Sequence, residues 1–272
     1  MSPGRKCAYC DQTEELTNEH VVPDFYHKAF GETISIVKTP ADDKAILNPQ
    51  EIRDVCANCN NVVLSRLDDY LATLTKRYFS TIIHPGDRVR FEYNFVLLLR
   101  MLLKIIYNIV RTRGWPVDVF QPARRFILGN EQFHNGFHIF LQLLIPTPAE
   151  KTQRPITPGT KEIPPLPLHA DLYDVSPFPG LAFAGSLSFM SYRFLIVREN
   201  EKVPANPRTR SIAKWLKQNR GTIELTNKGS VTVYASSITV LEALEADPTF
   251  EMQLAKARKL KANVKPKRPT RN

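Results

Sequence analysis

Cys7 and Cys10 form one Cys-x-x-Cys pair, and Cys56 and Cys59 form a second; these are the four cysteines of the chain. Each pair is a knuckle that turns two thiolates toward one point. Two knuckles supply the four ligands of a closed tetrahedral site, which is the chemistry of structural Zn²⁺. A thioredoxin-like redox pair is the competing reading. It leaves the second pair without a purpose, and no βαβ pattern surrounds either one. The 45 residues between the knuckles exceed the loop of a small zinc ribbon, so they must fold back as an element of their own.

Between the knuckles runs Leu16-Thr-Asn-Glu19-His20-Val-Val-Pro23, and Asn60-Asn61 follows the last cysteine. A Glu-His dipeptide alone carries little, because most histidines are structural or solvated. Its position carries more: zinc would hold the knuckles together, so residues beside each could share one site. Glu19 and Asn60 offer hard oxygen ligands of the kind that suit Mg²⁺ or Mn²⁺. His20 could act on a water as general base, since imidazole titrates near neutrality. A divalent cation beside a base is an arrangement that cleaves phosphodiesters.

The ordered set Cys7-Ala-Tyr-Cys10, Glu19-His20-Val-Val-Pro23 and Cys56-Ala-Asn-Cys59-Asn60-Asn61 resembles the zinc-containing branch of the HNH, or His-Me finger, endonucleases. The resemblance spans roughly residues 5–80. It implies a ββα-metal fold of treble-clef type around one catalytic cation, with Glu19 and Asn60 as its ligands and His20 as the general base. The four cysteines would hold structural zinc outside the chemistry, and the substrate would be DNA, double-stranded first of all.

The departures are specific. Glu19 stands where many members carry aspartate. Val62-Val63 replaces the Gly-Trp usual after Asn-Asn in one subgroup, and Arg66 is the nearest counterpart of a phosphate-reaching lysine. For the family's middle asparagine, Asn48 is best placed, with a plain turn asparagine as the simpler reading. His27 could approach the site or be solvated.

These residues need elements to position them. Apolar spacing predicts a helix over 61–83, ended by His84-Pro-Gly-Asp87, and a short strand over 88–91. A second helix is expected over 94–113, apolar on every face except the stripe Arg100, Lys104, Asn108 and Arg111. That stripe reads as a phosphate-facing groove or as the solvated edge of a core helix. Residues 122–128 suggest a short helix, and 137–145 a strand. Nine of the 21 prolines fall within residues 146–179, so 146–180 is expected to be an irregular connection without central strand. Further on, the pattern predicts a strand over 187–197, a helix over 209–219, a hairpin of 222–225 with 230–234, and helices over 238–245 and 248–260.

The expected fold class is therefore α+β. A nuclease core spans 1–83, a helical extension 84–145, the proline-rich connection 146–180, an α+β lobe 181–255 and a basic tail 256–272. The net charge of +10 is concentrated in that tail. Residues 256–272 carry eight basic and no acidic side chains, which leaves +2 for the body. Such a tail binds phosphate backbones without sequence preference, or is simply solvated. No apolar run reaches the ~20 residues of a membrane span. No secretion signal opens the sequence, so a cytoplasmic location without disulfides or membrane partner is expected. Three function classes remain: a DNA-cleaving enzyme, a zinc-stapled nucleic-acid-binding protein without catalysis, and a protein–protein adaptor in which zinc stabilises a small scaffold and residues 85–255 bind a partner.

Overall fold

The computed structural model describes residues 5–30, 51–112, 117–131, 136–151, 160–235 and 237–245, together with the backbone of 35–38 and 45–46. The expected helix over 248–260, the basic tail and Asn48 lie outside the described residues.

The first unit contains β1 (Leu16–His20), α1 (Asp24–Phe30), the short strands β2 (Ser35–Lys38) and β3 (Ala45–Ile46), and β4 (Glu51–Cys56). β1 and β4 pair antiparallel, with His20 opposite Glu51 and Leu16 opposite Cys56. A helix follows directly. It opens as a wide turn over Cys59–Leu64, continues as α2 (Ser65–Leu74) and closes in another wide turn over Thr75–Phe79. Its buried positions Leu64, Leu67, Leu71, Leu74 and Phe79 recur at helical spacing and face the core.

After β5 (Arg88–Glu92) comes α3 (Phe95–Thr112), which is buried along nearly its whole length. The short α4 (Ala123–Ile127) follows, then β6 (Phe137–Leu143), the paired two-residue strands β7 (Thr147–Pro148) and β8 (Glu162–Ile163), and β9 (Leu168–Leu172). The chain continues with β10 (Leu181–Phe189), β11 (Tyr192–Glu199), α5 (Ala205–Gln218), β12 (Thr222–Leu225), β13 (Ser230–Tyr234) and α6 (Val240–Glu245).

A seven-stranded sheet in the order β12-β6-β11-β10-β9-β2-β3 organises these elements; its pairs are antiparallel except β2 with β9. Side chains alternate across it, so each face has its own core. Ile139, Leu141, Phe189, Phe194 and Ile196 share one apolar cluster with α3 and α2. Phe140, Ala184, Leu195 and Val197 pack instead with Trp215 of α5. The first cluster is continuous from Cys7 to Val233. Tyr26 of α1 joins it by stacking edge-on against Phe189 and donating its hydroxyl to the Pro167 carbonyl.

The chain is thus α+β, as its patterns predict, and three local expectations are corrected. The segment 187–197 is two strands, because Met190 takes a left-handed φ of 51° and Met190-Ser191 turn the chain. The proline-rich stretch 146–180 contains a buried strand, β9, because residues 168–176 are its longest run without proline and Leu168–Leu172 opens that run. The strands 222–225 and 230–234 both form but do not pair with each other: β12 joins β6, and β13 joins β5. Among the described residues no helix is long and apolar enough to cross a membrane.

Candidate metal centre and polar seam

The four cysteine sulfurs lie within 4.8 Å of one another. Zn–S bonds of about 2.3 Å in a tetrahedron place sulfurs roughly 3.7–3.8 Å apart. The Cys10 and Cys56 sulfurs are 3.7 Å apart, and the Cys56 backbone N–H points at the Cys7 sulfur at 3.4 Å. The donor set and its spacing fit a zinc ion. The first knuckle is shaped by a turn in which Asp11 takes a φ of 61° and its N–H returns to the Cys7 carbonyl. Arg124 grips Asp11 through two bonds of 2.8 and 2.7 Å, and Tyr107 donates to the Ala8 carbonyl. The second knuckle is the end of β4 and the start of the following helix.

Glu19 and His20 are successive residues of a strand and point to opposite sides. Glu19 turns inward and is 2 % exposed. Its carboxylate receives the Lys104 ammonium at 2.9 Å and the Asn108 amide at 3.1 Å. Lys104 also meets Asp68 of α2 at 2.5 Å. Burial raises the Asp68 carboxyl above its ordinary pKa, against the opposing pull of Lys104. Asn108 further donates to the His20 carbonyl and accepts from the Tyr9 hydroxyl. Arg111 pairs with Asp54 of β4 and lies over the rings of Tyr9 and Tyr107.

The helix stripe is therefore neither a solvated edge nor a groove toward phosphate. Lys104 and Asn108 are buried, and with Arg111 they form a polar seam that binds α3 to β1, β4 and α2. The spacing of these residues was the signal available in the sequence; their acidic partners lie far away along the chain. Arg100 is spent on the Ile127 carbonyl at the edge of the same helix.

His20 faces outward, about one third exposed. Its Nε2 is 3.1 Å from a Glu51 oxygen, and Asn18 donates to the other oxygen of Glu51. Asn60 donates its amide to Thr17 Oγ1 and to the Asn18 carbonyl, tying the helix start to β1. His20, Glu51, Asn18 and Asn60 thus form a connected outer set, in which Glu51 was not singled out by sequence. It becomes visible only through the strand register. His27 of α1 is buried rather than solvated, and burial, with His20 nearby, lowers its pKa. Arg66 is exposed on α2.

A divalent cation does not fit at Glu19 as the side chains stand. The buried ammonium of Lys104 already neutralises that carboxylate, and a second positive charge beside it would be repelled in a weakly screened environment. No known protein family, curated protein or solved structure matches the chain.

Proposed function

We propose that the chain is a phosphodiester hydrolase of HNH type acting on DNA. One observation carries the reading: a pair of antiparallel strands followed by a helix, with the four-cysteine centre joining them, offers the His20 ring at the surface and links it to Asn60 through Glu51 and Asn18. Glu51 accepts only, so the proton of the bridging bond belongs on His20 Nε2. That tautomer leaves the lone pair on Nδ1, where a base needs it. Nδ1 takes a proton from water, the hydroxide oxygen bonds to phosphorus, the bond from phosphorus to the leaving sugar oxygen breaks, and that oxygen takes up a proton from a solvent water. Zinc would fix the knuckles without entering the chemistry.

The partner is supported by an exposed basic face. Arg88 and Arg90 project from β5, and Arg77 and Lys228 lie exposed beside the same ribbon, where Glu92 pairs with Arg77 and Arg90. Tyr234, 64 % exposed, stands opposite Arg88, whose guanidinium lies 5.7 Å from the ring centre. Cations interleaved with an aromatic ring suit a phosphate backbone and unstacked bases.

The resemblance assigns Mg²⁺ or Mn²⁺ to Glu19 and Asn60. The pairing of Glu19 with Lys104 favours a second reading, a zinc-stapled nucleic-acid-binding protein without hydrolytic activity. Plasmid cleavage in EDTA, Mg²⁺ or Mn²⁺, beside the His20→Ala variant, separates the two. The hydrolase reading expects nicking that requires His20, and the EDTA and cation lanes show whether a metal takes part. DNA binding with no cleavage under any cation would support the second.

A further inference from the structure

A second polar constellation lies in the sheet, away from the cysteine centre. On the face covered partly by α5, the strand register aligns Thr222, Gln142, Arg193, Ser188 and His169 in one row across β12, β6, β11, β10 and β9. Ser186 and Asp171 face each other in the neighbouring row. Gln142, Arg193, Ser186, Ser188, His169 and Asp171 are all buried. The rest of this face, around Phe140, Leu195 and Trp215, is an ordinary apolar core. A sheet that needed only packing would place apolar side chains in both halves, because buried polar groups carry a desolvation cost.

Arg193 is the centre of this polar half. It is 3 % exposed, and its guanidinium donates to the Tyr173 hydroxyl at 2.5 Å and to Gln142 Oε1 at 3.1 Å. Both partners are neutral. Four other shielded arginines meet carboxylates directly: Arg111 with Asp54, Arg124 with Asp11, Arg208 with Glu199 and Arg198 with Glu201. Arg193 reaches Asp171 only through hydroxyls, Tyr173 passing to Ser186 at 3.1 Å and Ser186 to Asp171 at 3.2 Å.

Arg193 and Gln142 line a cavity of about 380 Å³ whose walls include Asn219, Arg220, Ser237 and Glu242. The Glu242 carboxylate is already occupied as the cap of α6, accepting from the Thr239 N–H and hydroxyl through one oxygen. Gln142 is held by donating to the Arg220 carbonyl. The cavity is thus polar, rigidly supported and lined by an arginine that meets no carboxylate directly among the described residues. Its volume is at the small end of ligand sites.

We propose that this cavity binds the oxyanion group of a small polar molecule, a carboxylate or a phosphate, with Arg193 as the anchor and the amides of Gln142 and Asn219 as orienting groups. A planar guanidinium matches both anions. The site is independent of the hydrolase reading and stands or falls separately.

The test is calorimetric titration of the full chain with inorganic phosphate and, separately, with acetate. High chloride in the buffer suppresses weak binding at the exposed basic surface. The wild type is expected to bind one of the two saturably at one site, and the ion that binds fixes the class. Arg193→Lys keeps the charge but loses the planar fork, and should weaken binding at least tenfold. Ser237→Trp, which fills the cavity from an exposed wall position without touching Arg193, should do the same; it decides the matter if the Arg193 variant fails to fold. Absence of saturable binding of both anions to the wild type would overturn the proposal. So would wild-type affinity in the folded Ser237→Trp variant.

Discussion

Lys104, from the middle of the most buried helix, places its ammonium 2.9 Å from the carboxylate of Glu19, the residue before the outward-facing His20. The contact fixes the direction of the strand carrying His20 relative to the protein body. It also gives Glu19 an occupation that the sequence motif does not suggest. Asn108, one turn further along α3, holds both the Glu19 side chain and the His20 carbonyl. The body of the protein thus reaches the outer set of polar residues through two consecutive turns of one helix.

Removing Lys104 alone should therefore be severe. Lys104→Met would leave Glu19 buried without its partner and Asp68 without its bond. Breaking a buried pair from one side costs about 3–5 kcal/mol. The double variant Lys104→Met, Glu19→Gln should recover a large part of that loss, because the uncompensated charge at Glu19 is gone and only Asp68, at the edge of the seam, is left without its partner. Urea unfolding of the wild type, both single variants and the double variant measures the coupling. Independent, additive losses would mean that the contact does not contribute to stability.

The same seam shows what was legible in the sequence. The cysteine pairs could be read because metal-ligand chemistry is expressed in local spacing. The polar stripe on α3 could be seen but not interpreted, since Glu19, Asp54 and Asp68 meet it only after the chain has folded. Arg111 and Lys104 look like solvated residues until their partners are known. Glu51 was silent for a similar reason: its relation to His20 is a matter of cross-strand register. The turn at Met190 carries no glycine, proline or asparagine, so nothing local announced it. The Asn227-Lys-Gly229 turn was plain, but a turn signal does not specify which neighbours its flanking strands will join.

The cysteine centre should carry one zinc per chain, measurable by elemental analysis of protein purified without chelator. Cys56→Ser should lose that zinc and lower the melting temperature strongly, since structural zinc contributes about 10–16 kcal/mol to folding in small domains. A strong chelator should reproduce the effect in the wild type. Full zinc content in Cys56→Ser would show that the four sulfurs do not form one site.

His27 should make the fold sensitive to mild acid. Burial lowers its pKa in the folded state, so the unfolded chain binds more protons once the pH drops below the ordinary histidine value of about 6.5. Its contribution is therefore neutral above that value. Stability falls as the pH passes below it, and the loss levels off below the folded-state pKa. Unfolding free energies of the wild type and His27→Gln, followed between pH 7.5 and about 5, should diverge in slope. Equal slopes would place the acid sensitivity elsewhere.

The basic ribbon offers a separable test of the nucleic-acid partner. Arg88 and Arg90 lie on the outward side of β5, while Val89 and Phe91 turn toward the core. Replacing both arginines by glutamine should leave the fold intact, because surface changes away from buried networks usually cost under about 0.5 kcal/mol. If each meets a phosphate, binding to duplex DNA should weaken, and the slope of log affinity against log salt should shrink by about 0.9 per lost contact. Tyr234→Ala should instead weaken binding to single strands more than to duplex, because an exposed ring stacks on unpaired bases at about 1–3 kcal/mol each. Fluorescence anisotropy at several salt concentrations reads both effects. An unchanged salt slope in the double arginine variant would remove this face from the interface, and the search for the DNA track would move to Arg66 and the start of α2.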